Sequence, residues 1–450
     1  MSNSIFIFRR DYRLHDNLGL IECCKNSSKV YLVFIFTPEQ IDNTKNTYKS
    51  HNSVKFLCDS LQELNETTQG KLHIYYGTNT SILSKLIDKW NINSIYTNND
   101  YTLYAKKRDA EIEKLKNVDY FTIEDYNLLP INTIKPIGKN YYTKFRPFYE
   151  KLLKETIPKP VKFTFSNKLV SNKDKDTLNI NKFYDLNKIG NHVSKGGRTH
   201  GKKIIDTIEK FKDYPNERNN LIYNTTHLSA HIKYGTISIR EVYYAIKNKL
   251  GLNSELLRQV IWHDFFNNMV YNNPVTFEDG ISKKIKWINN NKNTNAWKQG
   301  RTGYPIIDAC MNELNQTGYL HNRGRMIVAN FLTRILGTHW KIGEKYFAQV
   351  LYDYDPIQNN MGWTGQASVN GTEARPLNQT VLNPWIQSSK YDSDALYIKK
   401  WLPILKDIPA KELHSWDKYH SNHKALDYPR PIVDYKINRE KMLKAYYDAK

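Results

Sequence analysis

The first 125 residues alternate short apolar runs with amphipathic segments. The apolar runs read SIFIF, VYLVFIF, LHIYYG and SIYTN, at residues 4–8, 30–36, 72–77 and 94–98. Short, bounded apolar runs are typical of buried strands. The segments SVKFLCDSLQELNE, SILSKLIDKW and YAKKRDAEIEKLK instead carry apolar positions at helical spacing. This order predicts a doubly wound parallel sheet with crossover helices, and a ligand site at the carboxyl ends of the strands.

The hydrophobic pattern changes twice further along the chain. From about residue 121 to about residue 197, proline, lysine and asparagine replace the periodicity, as in LLPINTIKPIGKNYY, which is typical of a surface connector. From about residue 202, helical spacing dominates in segments such as SIREVYYAIKNKL, SELLRQVIWHDFFNNMVY and NRGRMIVANFLTRIL. The pattern therefore predicts an α/β domain at residues 1–125, a connector at 126–200 and an all-α domain at 201–450.

The composition is that of a globular protein. The 450 residues are 40% hydrophobic and 25% charged, which allows two or three domains with a buried core. No apolar run is long enough to span a bilayer, and the start MSNSIFIFRRDYRL has its apolar run before its charges, the reverse of a secretory signal. We therefore expect an intracellular protein without membrane contact, in the nucleus or the cytoplasm. The four cysteines lack metal-site spacing, so we expect reduced thiols and no metal site: Cys23, Cys24, Cys58 and Cys310.

The charge indicates a polyanionic partner. The formal net charge is +21, and a strong positive excess favours nucleic acid as a ligand. The alternative is a lysine-rich surface that only keeps the protein in solution. Aromatic residues make up 13% of the chain, with 32 Tyr and 9 Trp, and their rings offer stacking faces to bases or to a flat cofactor. Nucleic acid is therefore the favoured partner.

A hydroxyl-rich stretch, TTHLSAHIKYG, precedes a helical pattern at residues 225–235. Thr225, Thr226 and Ser229 place hydroxyl groups where a helix begins, and the free backbone amides of a helix N-terminus favour an anion such as phosphate. The same residues would also serve as plain N-caps. The stretch alone leaves both interpretations open.

Four blocks of the chain, in order, resemble the photolyase/cryptochrome family. FRRDYRLHDN (residues 8–17) is similar to the N-terminal signature, and TTHLSAHIKYG to the flavin-phosphate loop. The block WKQGRTGYPIIDACMNELNQTGYLHNRGRMIVANFL (297–332) is similar to the longest family block, and YDYDPIQNNMGW (352–363) to the flavin-ring block. The chain is identified as a member of this family along nearly its whole length, most like class I cyclobutane pyrimidine dimer photolyases. The resemblance implies an α/β antenna domain followed by an all-α FAD- and DNA-binding domain.

The resemblance implies a set of contacts to FAD. Asp353 and Asp355 match positions that contact the isoalloxazine and ribityl portions, and Arg325 matches an arginine that pairs with Asp353, as a buried acid requires. Asn359 matches the position that faces flavin N5, where an amide favours reduced flavin. A solvent-exposed turn is the alternative for the two aspartates. The residues that match the phosphate and sugar contacts are Tyr214, Thr225, Thr226, His227, Leu228 and Ser229.

Three tryptophans match the family's tryptophan chain, through which an electron hops from the surface to the photoexcited flavin. They are Trp363, Trp340 and Trp287. Each would otherwise be an ordinary core residue. Together with Asn359, the resemblance implies that these three are the catalytic residues.

The implied contacts to damaged DNA contain both matches and departures. Gln259 stands where dimer photolyases usually have glutamate and resembles the six-four enzymes and animal cryptochromes. His263 replaces the usual arginine, and Gly365 stands where a second tryptophan commonly packs on the dimer. Asn322 follows the dimer-specific pattern, although a helix N-cap is its alternative role. The full implied set is Gln259, Trp262, Asn322, Arg323, Met326 and Gln387.

The second chromophore of the family is less defined in this sequence. NNDYTLYAKKRD (residues 98–109) resembles the antenna region, but Ala105 lies near the place of the glutamate that grips a folate in some members. A deazaflavin or no antenna at all remains open, so the identity of a second chromophore is unknown.

Taken together, the resemblance implies a monomeric deoxyribodipyrimidine photo-lyase, a carbon–carbon lyase that acts on UV-damaged DNA. It would repair cyclobutane pyrimidine dimers by electron transfer from photoexcited reduced FAD to a flipped-out dimer. Gln259 and Gly365 make repair of six-four photoproducts the first alternative. A cryptochrome-type blue-light receptor without repair activity is the second, and a basic DNA-binding protein without cofactor is the third.

Overall fold

Five parallel strands form one sheet within the part of the chain that the structure describes. The structure is a computed structural model that describes residues 2–165, 167–171, 178–191, 194–274, 280–369 and 376–449, with the side chains of 280 and 281 left out. Parts of the predicted connector and of the predicted helical domain thus lie outside the described residues. The strands are β1 Asn3–Ile7, β2 Lys29–Phe36, β3 Leu72–Tyr76, β4 Ile92–Asn98 and β5 Asp119–Ile123, in the spatial order β3-β2-β1-β4-β5.

The alternating residues of the sheet bury two different faces. Phe6 and Phe8 point into one core and pack with side chains of two helices, whereas Ile5 and Ile7 point into another. This alternation follows from the two-residue period of a strand. The helices of this domain are α1 Leu18–Asn26, α2 Pro38–Ile41, α3 His51–Thr67, α4 Asn79–Trp90 and α5 Leu103–Ile112. α1 and α3 cover the phenylalanine face, and α4 and α5 cover the isoleucine face, so the predicted doubly wound fold is confirmed.

The sheet contains one strand more than the apolar runs predicted. β5 pairs with β4 from Ser94↔Asp119 to Asn98↔Ile123, where the sequence analysis placed the start of the connector. The hydrophobic pattern does not reveal this strand, because it lies at the sheet edge and none of its five residues is fully buried. An edge strand is held by backbone pairing on one side and needs fewer apolar side chains. The domain division at residues 125/126 and 200/201 stays a prediction.

Sixteen α-helices follow in the described residues of the rest of the chain. Most of the helices after residue 201 match predicted periodic segments, but the connector contains α6, which the sequence analysis did not predict. Short 3-10 helices lie at Ile180–Phe183, Leu186–Lys188, Ile208–Phe211, Gly280–Lys284, Leu377–Gln379, Pro403–Leu405 and His420–His423. The α-helices are α6 Phe145–Leu152, α7 Arg198–Asp206, α8 Tyr214–Glu217, α9 Leu228–Lys233, α10 Ile239–Leu250, α11 Glu255–Asn272, α12 Asn291–Lys298, α13 Pro305–Thr317, α14 Asn322–Arg334, α15 Trp340–Val350, α16 Pro356–Gln366, α17 Pro384–Tyr391, α18 Leu396–Trp401, α19 Ala410–Leu413, α20 Trp416–Tyr419 and α21 Tyr435–Asp448.

Two apolar cores organise these helices. One joins α12 to α16 around the buried indoles of Trp297, Trp340 and Trp363. The other joins α6, α10 and α11 and reaches α16 through Ile357 and Met361. α16 therefore belongs to both cores, which places it at the boundary between them. No helix in the described ranges is both long and apolar enough to cross a membrane.

A buried network of four charges joins the sheet domain to the helical domain. Arg240 of α10 donates from Nε to Asp16 at 2.9 Å and from Nη2 to Asp125 at 2.7 Å. Arg13 also pairs with Asp125, and all four side chains are at most 3% exposed. Burial alone would raise the pKa of Asp125, but the two guanidinium groups outweigh it and lower that pKa. Buried charges are tolerated because each acid faces a cation.

We expect Arg240→Met to lower the free energy of unfolding by about 3 kcal/mol, because Asp16 then keeps a buried charge without its cation. Arg146→Met is the matched control, since Arg146 pairs with Glu150 on the surface, where the side chains are 84% and 56% exposed, and such pairs contribute less than about 1 kcal/mol. Urea unfolding followed by circular dichroism measures both. Equal losses of unfolding free energy in the two variants would show that the buried network does not stabilise the fold more than a surface ion pair.

Candidate functional site

A large cavity opens in the helical domain, with a volume of about 1030 Å³. Ligand cavities commonly measure about 300 to 1,000 Å³, so this one suits a ligand of dinucleotide size. Its wall contains all of the residues that the sequence analysis assigned to FAD and five of the six that it assigned to DNA. They are Tyr214, Thr225, Thr226, His227, Leu228, Ser229, Arg325, Asp353, Asp355 and Asn359, and Gln259, Trp262, Asn322, Arg323 and Met326.

Three assigned residues lie elsewhere. Trp340 is fully buried behind the cavity wall, at the first position of α15. Trp287 is partly buried at the edge of the same core. Gln387 lies on α17 and is not among the described residues that line the cavity. Its predicted contact with DNA stays a prediction.

The hydroxyl-rich loop before α9 faces the cavity with its side chains. Thr225 Oγ1 lies 3.1 Å from the hydroxyl of Tyr319, and the Leu228 amide donates to Thr226 Oγ1 at 3.4 Å. His227 adopts a left-handed conformation with φ 54°, which turns the chain sharply into the helix. The turn brings several hydroxyl groups to one wall of the cavity.

A buried ion pair forms the next part of the wall. Arg325 Nη2 donates to both carboxylate oxygens of Asp353, at 3.0 and 2.8 Å, and Ser229 Oγ donates to the same carboxylate at 2.6 Å. Burial alone would lower the pKa of Arg325, but Asp353 outweighs it and raises that pKa above its ordinary value. The predicted pairing of Arg325 with Asp353 is therefore present at the cavity wall.

Asp355 is held by the backbone of its own helix and by the sheet domain. Its carboxylate accepts the amides of Ile357 at 2.9 Å and Gln358 at 3.0 Å, as the N-cap of α16. Arg10 pairs with the same carboxylate, and Tyr126 donates to it at 2.6 Å. Burial alone would raise the pKa of Asp355, but Arg10 and these hydrogen bonds outweigh it and lower the pKa to about 2. The alternative of a solvent-exposed turn is therefore wrong for Asp355.

Polar or aromatic side chains recur every four residues from the N-cap of α16 along the helix. Asp355, Asn359 and Trp363 share one helix face because residues four apart lie nearly above one another, and all three line the cavity. The Asn359 Nδ2 atom is buried and has no hydrogen-bond partner among the described residues. Buried polar atoms are nearly always satisfied, so this amide indicates a ligand atom in the cavity.

Other polar atoms of the wall point to the same ligand. His227 Nδ1 and His321 Nε2 are buried and have no partner in the described part of the chain. Burial lowers the pKa of each histidine to about 4, so both imidazoles are neutral near pH 7. A cavity of this size, with hydroxyl groups, an ion pair and unsatisfied donors, fits FAD, which combines a flat polar ring system with two phosphates.

Lys233 was not assigned by the sequence analysis but lines the cavity beside the two aspartates. Its Nζ donates to Ser53 Oγ at 3.0 Å and lies 2.9 Å from the Tyr234 hydroxyl. Burial and the neighbouring Arg10 outweigh the carboxylates and lower the pKa of Lys233 to about 7. The sequence hides this role because one partner of Lys233, Ser53, lies on α3, 180 residues away. Tyr126 also lines the cavity and was not assigned by the sequence analysis.

The tryptophan core adjoins the cavity at Trp363. Its ring centroid lies 5.0 Å from that of Phe347 and 6.2 Å from that of Trp297. Gly343 of α15 leaves room for this indole, since an added Cβ there would lie 2.2 Å from Trp363 Cη2. Trp297 was not assigned by the sequence analysis, although it contacts the cavity tryptophan directly.

Trp287 and Trp340, the outer two tryptophans of the predicted electron path, both contact Ser282. Trp287 Nε1 donates to the Ser282 carbonyl at 2.9 Å, and Trp340 Nε1 lies 3.4 Å from Ser282 Oγ. The His339 ring lies between them, 5.1 Å from the Trp287 ring and 5.9 Å from the Trp340 ring. The contacts bring Trp287 and Trp340 together through His339 and Ser282. The electron path through Trp363, Trp340 and Trp287 stays a prediction.

The residues that depart from the family pattern also line the cavity. His263 Nδ1 lies 3.2 Å from the Asp264 carboxylate, and its ring meets Tyr126 edge-on at 4.8 Å. Gly365 lies one turn beyond Met361 on α16 and contributes no side chain to the wall. Arg323 donates to Asn219 at 2.6 Å. This part of the wall thus carries the polar groups of His263 and Arg323 and has no side chain at position 365.

The crevice at the carboxyl ends of the strands is small by comparison. Its volume is about 20 Å³, which is space for about one water molecule. Asn98 fills part of it by donating to Asp11 at 2.5 Å and to Asn17 at 2.8 Å. This crevice is too small for a cofactor, and a ligand site at the strand ends stays a prediction.

Comparisons with known proteins agree on one family. A family model described as DNA photolyase matches residues 4–163, and one described as the FAD binding domain of DNA photolyase matches residues 256–448. The deoxyribodipyrimidine photo-lyase of Buchnera aphidicola from Acyrthosiphon pisum is 32% identical and is matched over 100% of this chain and 98% of its own. The Escherichia coli protein of the same name is 30% identical, with 100% and 99% covered.

Solved structures give the same result. An archaeal photolyase from Sulfolobus tokodaii with two FAD molecules superposes with a TM-score of 0.86 at 34% identity, over 99% of this chain and 100% of that one. A class III photolyase from Agrobacterium tumefaciens superposes with a TM-score of 0.88 at 25% identity, over 100% and 98%. A Synechocystis cryptochrome, at 23% identity and a TM-score of 0.88 over 99% of each chain, shares the fold.

We expect Asp355→Asn to lower the free energy of unfolding by about 2 kcal/mol at neutral pH, because the variant cannot hold the charge that Arg10 stabilises. Asp355 has a pKa of about 2, below its ordinary 3.8, so this contribution is full above about pH 4 and is lost as the pH falls towards 2. Urea unfolding at pH 7, 5, 4 and 3 measures the difference.

The control is Asp427→Asn, which removes a carboxylate that is 86% exposed and pairs with Arg301 at 3.0 Å. It should change little at any of these pH values. If the difference in unfolding free energy between the wild type and Asp355→Asn grew below pH 4, the charged carboxylate would not be the stabilising form.

Proposed function

The chain belongs to the DNA photolyase family, and from this premise we propose that it is a light-dependent enzyme that repairs cyclobutane pyrimidine dimers in DNA. The observation that carries the proposal is that residues of two kinds line one cavity. Asp353 and Asn359, which the resemblance assigns to the flavin, line the same cavity as Gln259, Trp262 and Asn322, which it assigns to the lesion. A flavin and an extruded dimer would therefore lie in the same enclosed space.

When bound, FAD would supply the chemistry of the reaction, because its excited, fully reduced form would donate the electron that splits the cyclobutane ring and would take that electron back afterwards. The residues of the chain hold and orient this cofactor. Thr225, Thr226 and Ser229 offer hydroxyl groups for its phosphates and sugars, and Asn359 offers its unsatisfied amide to the ring system. The Arg325–Asp353 pair gives the ring a fixed polar partner.

The wall of the cavity also excludes water from the reacting groups. Met361, Phe347 and Ala329 are buried apolar side chains that line it. The cyclobutane ring must split before the transferred electron returns to the flavin. A dry and closely packed space favours this splitting. Extrusion of the dimer from the duplex costs least where base pairing is already damaged.

DNA binding is supported by the charges near the cavity opening. Lys144, Arg146, Arg218 and Arg323 line the cavity, and the whole chain carries a net charge of +21. Cations around a pocket contact phosphates independently of sequence, which positions the strand without specifying bases. The monomeric state and the cellular compartment stay predictions.

Repair of six-four photoproducts is the second candidate function. Two features of the lesion side favour it: Gln259 in place of glutamate and the missing ring at Gly365. Gln259 lines the cavity and donates from its side chain to the Glu255 carbonyl at 3.2 Å. An amide can both donate and accept, so it suits a different set of lesion atoms from a carboxylate.

Lesion-defined oligonucleotides test the proposed function. We expect blue light to restore an oligonucleotide that carries one cyclobutane dimer, with the purified flavin-containing protein as catalyst. A dark reaction and an oligonucleotide with a six-four photoproduct are the controls. Restoration of the six-four substrate alone would replace the proposal with the second candidate, and restoration of neither in light would refute both.

Trp363→Phe tests the proposed electron path. We expect the rate of photoreduction to fall about tenfold or more, because the indole at the cavity wall carries the electron, while repair by chemically reduced protein stays nearly unchanged. The matched control is Trp90→Phe in α4, a buried tryptophan stacked on Tyr31 at 4.4 Å. Equal losses of photoreduction and repair would instead make Trp363 a structural residue.

A further inference from the structure

The connector contributes one aromatic side chain to the lesion side of the cavity. Phe145 is the first residue of α6 and is 7% exposed. Its ring stacks on that of Trp262 with centroids 3.7 Å apart and planes 6° apart. Both rings line the cavity. A segment that the sequence pattern marks as a linker therefore reaches the residue expected to contact the damaged bases.

The stack leaves Trp262 little freedom. Phe145 covers one face of the indole, and two phenylalanines of α11 hold it from the side: Phe265 at 5.4 Å with planes 79° apart, and Phe266 at 5.2 Å with planes 55° apart. Aromatic rings prefer these stacked and edge-on arrangements. The indole is therefore held in one orientation before any DNA binds.

Phe145 is itself braced by a cation on α11. The guanidinium of Arg258 lies over the Phe145 ring at 5.5 Å and over the Tyr149 ring at 5.6 Å. Arg258 also pairs with Glu255 at 3.2 Å. Because Arg258 and Trp262 are four residues apart on α11, both meet the same ring of α6. The α6–α11 contact thus combines a ring stack with a cation.

The glycine at position 365 makes the orientation of Trp262 more important for binding. A lesion site with two stacking rings can contact an extruded dimer from both sides, whereas here the wall offers no side chain at Gly365. Discrimination then depends more heavily on the single indole of Trp262. A side chain that is already immobile loses less freedom when it binds, so a rigid indole binds more tightly than a mobile one.

We propose that Phe145 is a positioning residue that holds Trp262 so that the indole presents one face to the extruded pyrimidine dimer. This inference rests on the proposed function, because it assigns a partner to the lesion side of the same cavity. Phe145 acts through Trp262 and does not itself need to touch DNA. Its contribution is to binding of damaged DNA over undamaged DNA.

The test compares affinities for two oligonucleotides that differ only by one cyclobutane dimer. We expect Phe145→Leu to lower the ratio of damaged to undamaged affinity about five-fold, the effect of losing one aromatic stack, with little change for undamaged DNA. Phe145→Tyr keeps the ring and should keep the ratio. The matched control is Phe148→Leu, which removes a buried ring of the same helix that contacts Phe265 and Tyr142, and it should also keep the ratio.

A double-mutant cycle separates positioning from a general loss of structure. In a Trp262→Leu background, Phe145→Leu should lower the ratio no further, because the residue through which it acts is gone. An equal loss in both backgrounds, or a loss with Phe148→Leu or Phe145→Tyr of the same size, would overturn the inference. Flavin absorbance per protein and the melting temperature are recorded for each variant.

Two further outcomes are distinguished. If Phe145→Leu fails to bind FAD, Phe145→Met replaces it in the same cycle, since methionine fills a similar volume without an aromatic face. An unchanged ratio with Phe145→Met would then overturn the inference. If the wild-type protein itself binds damaged and undamaged DNA equally, the proposed function fails and the inference fails with it.

Discussion

The pairing of Arg10 with Asp355 is the interaction on which the cavity depends. The acid caps α16 in the helical domain, and the cation follows β1 in the sheet domain. Neither charge could be buried without the other, because the loss of water around an isolated ion is too costly inside a protein. Tyr126, just beyond β5, completes the arrangement. The contact that holds the two domains together therefore also fixes the position of the cavity wall.

A second buried network supports the same junction a short distance away. Arg13, Asp16 and Asp125 come from the first 125 residues, and Arg240 comes from α10. Charged groups specify a unique geometry more strictly than apolar contacts, since each hydrogen bond has a direction. The two domains consequently meet in one register, and α16 enters the cavity at one angle.

The angle of α16 determines which of its side chains face the cavity, because the helix carries polar and aromatic side chains at successive turns. Asp355 begins the helix, Asn359 presents an unsatisfied amide, and Trp363 closes the wall against the tryptophan core. Gly343 lets the indole approach α15 closely. The neighbouring helix α11 packs on α16 and presents Gln259 and Trp262 to the same cavity, and Phe145 of the connector stacks on Trp262. The residues assigned to FAD and those assigned to DNA thus share one space.

The sequence by itself determined the kinds of element and most of the chemical groups. Strand runs and helical spacing predicted the two-part architecture. The resemblance of short blocks such as TTHLSAHIKYG and YDYDPIQNNMGW to the photolyase/cryptochrome family indicated which residues line the cavity. Only the tertiary structure decided the long-range partners. The edge strand β5, the pair Arg10–Asp355, the buried Lys233 and the stack of Phe145 on Trp262 join residues from about 100 to 345 positions apart or lie where the apolar pattern is weak. Periodicity reports local burial, whereas these contacts follow from how two domains and a connector pack around one cavity.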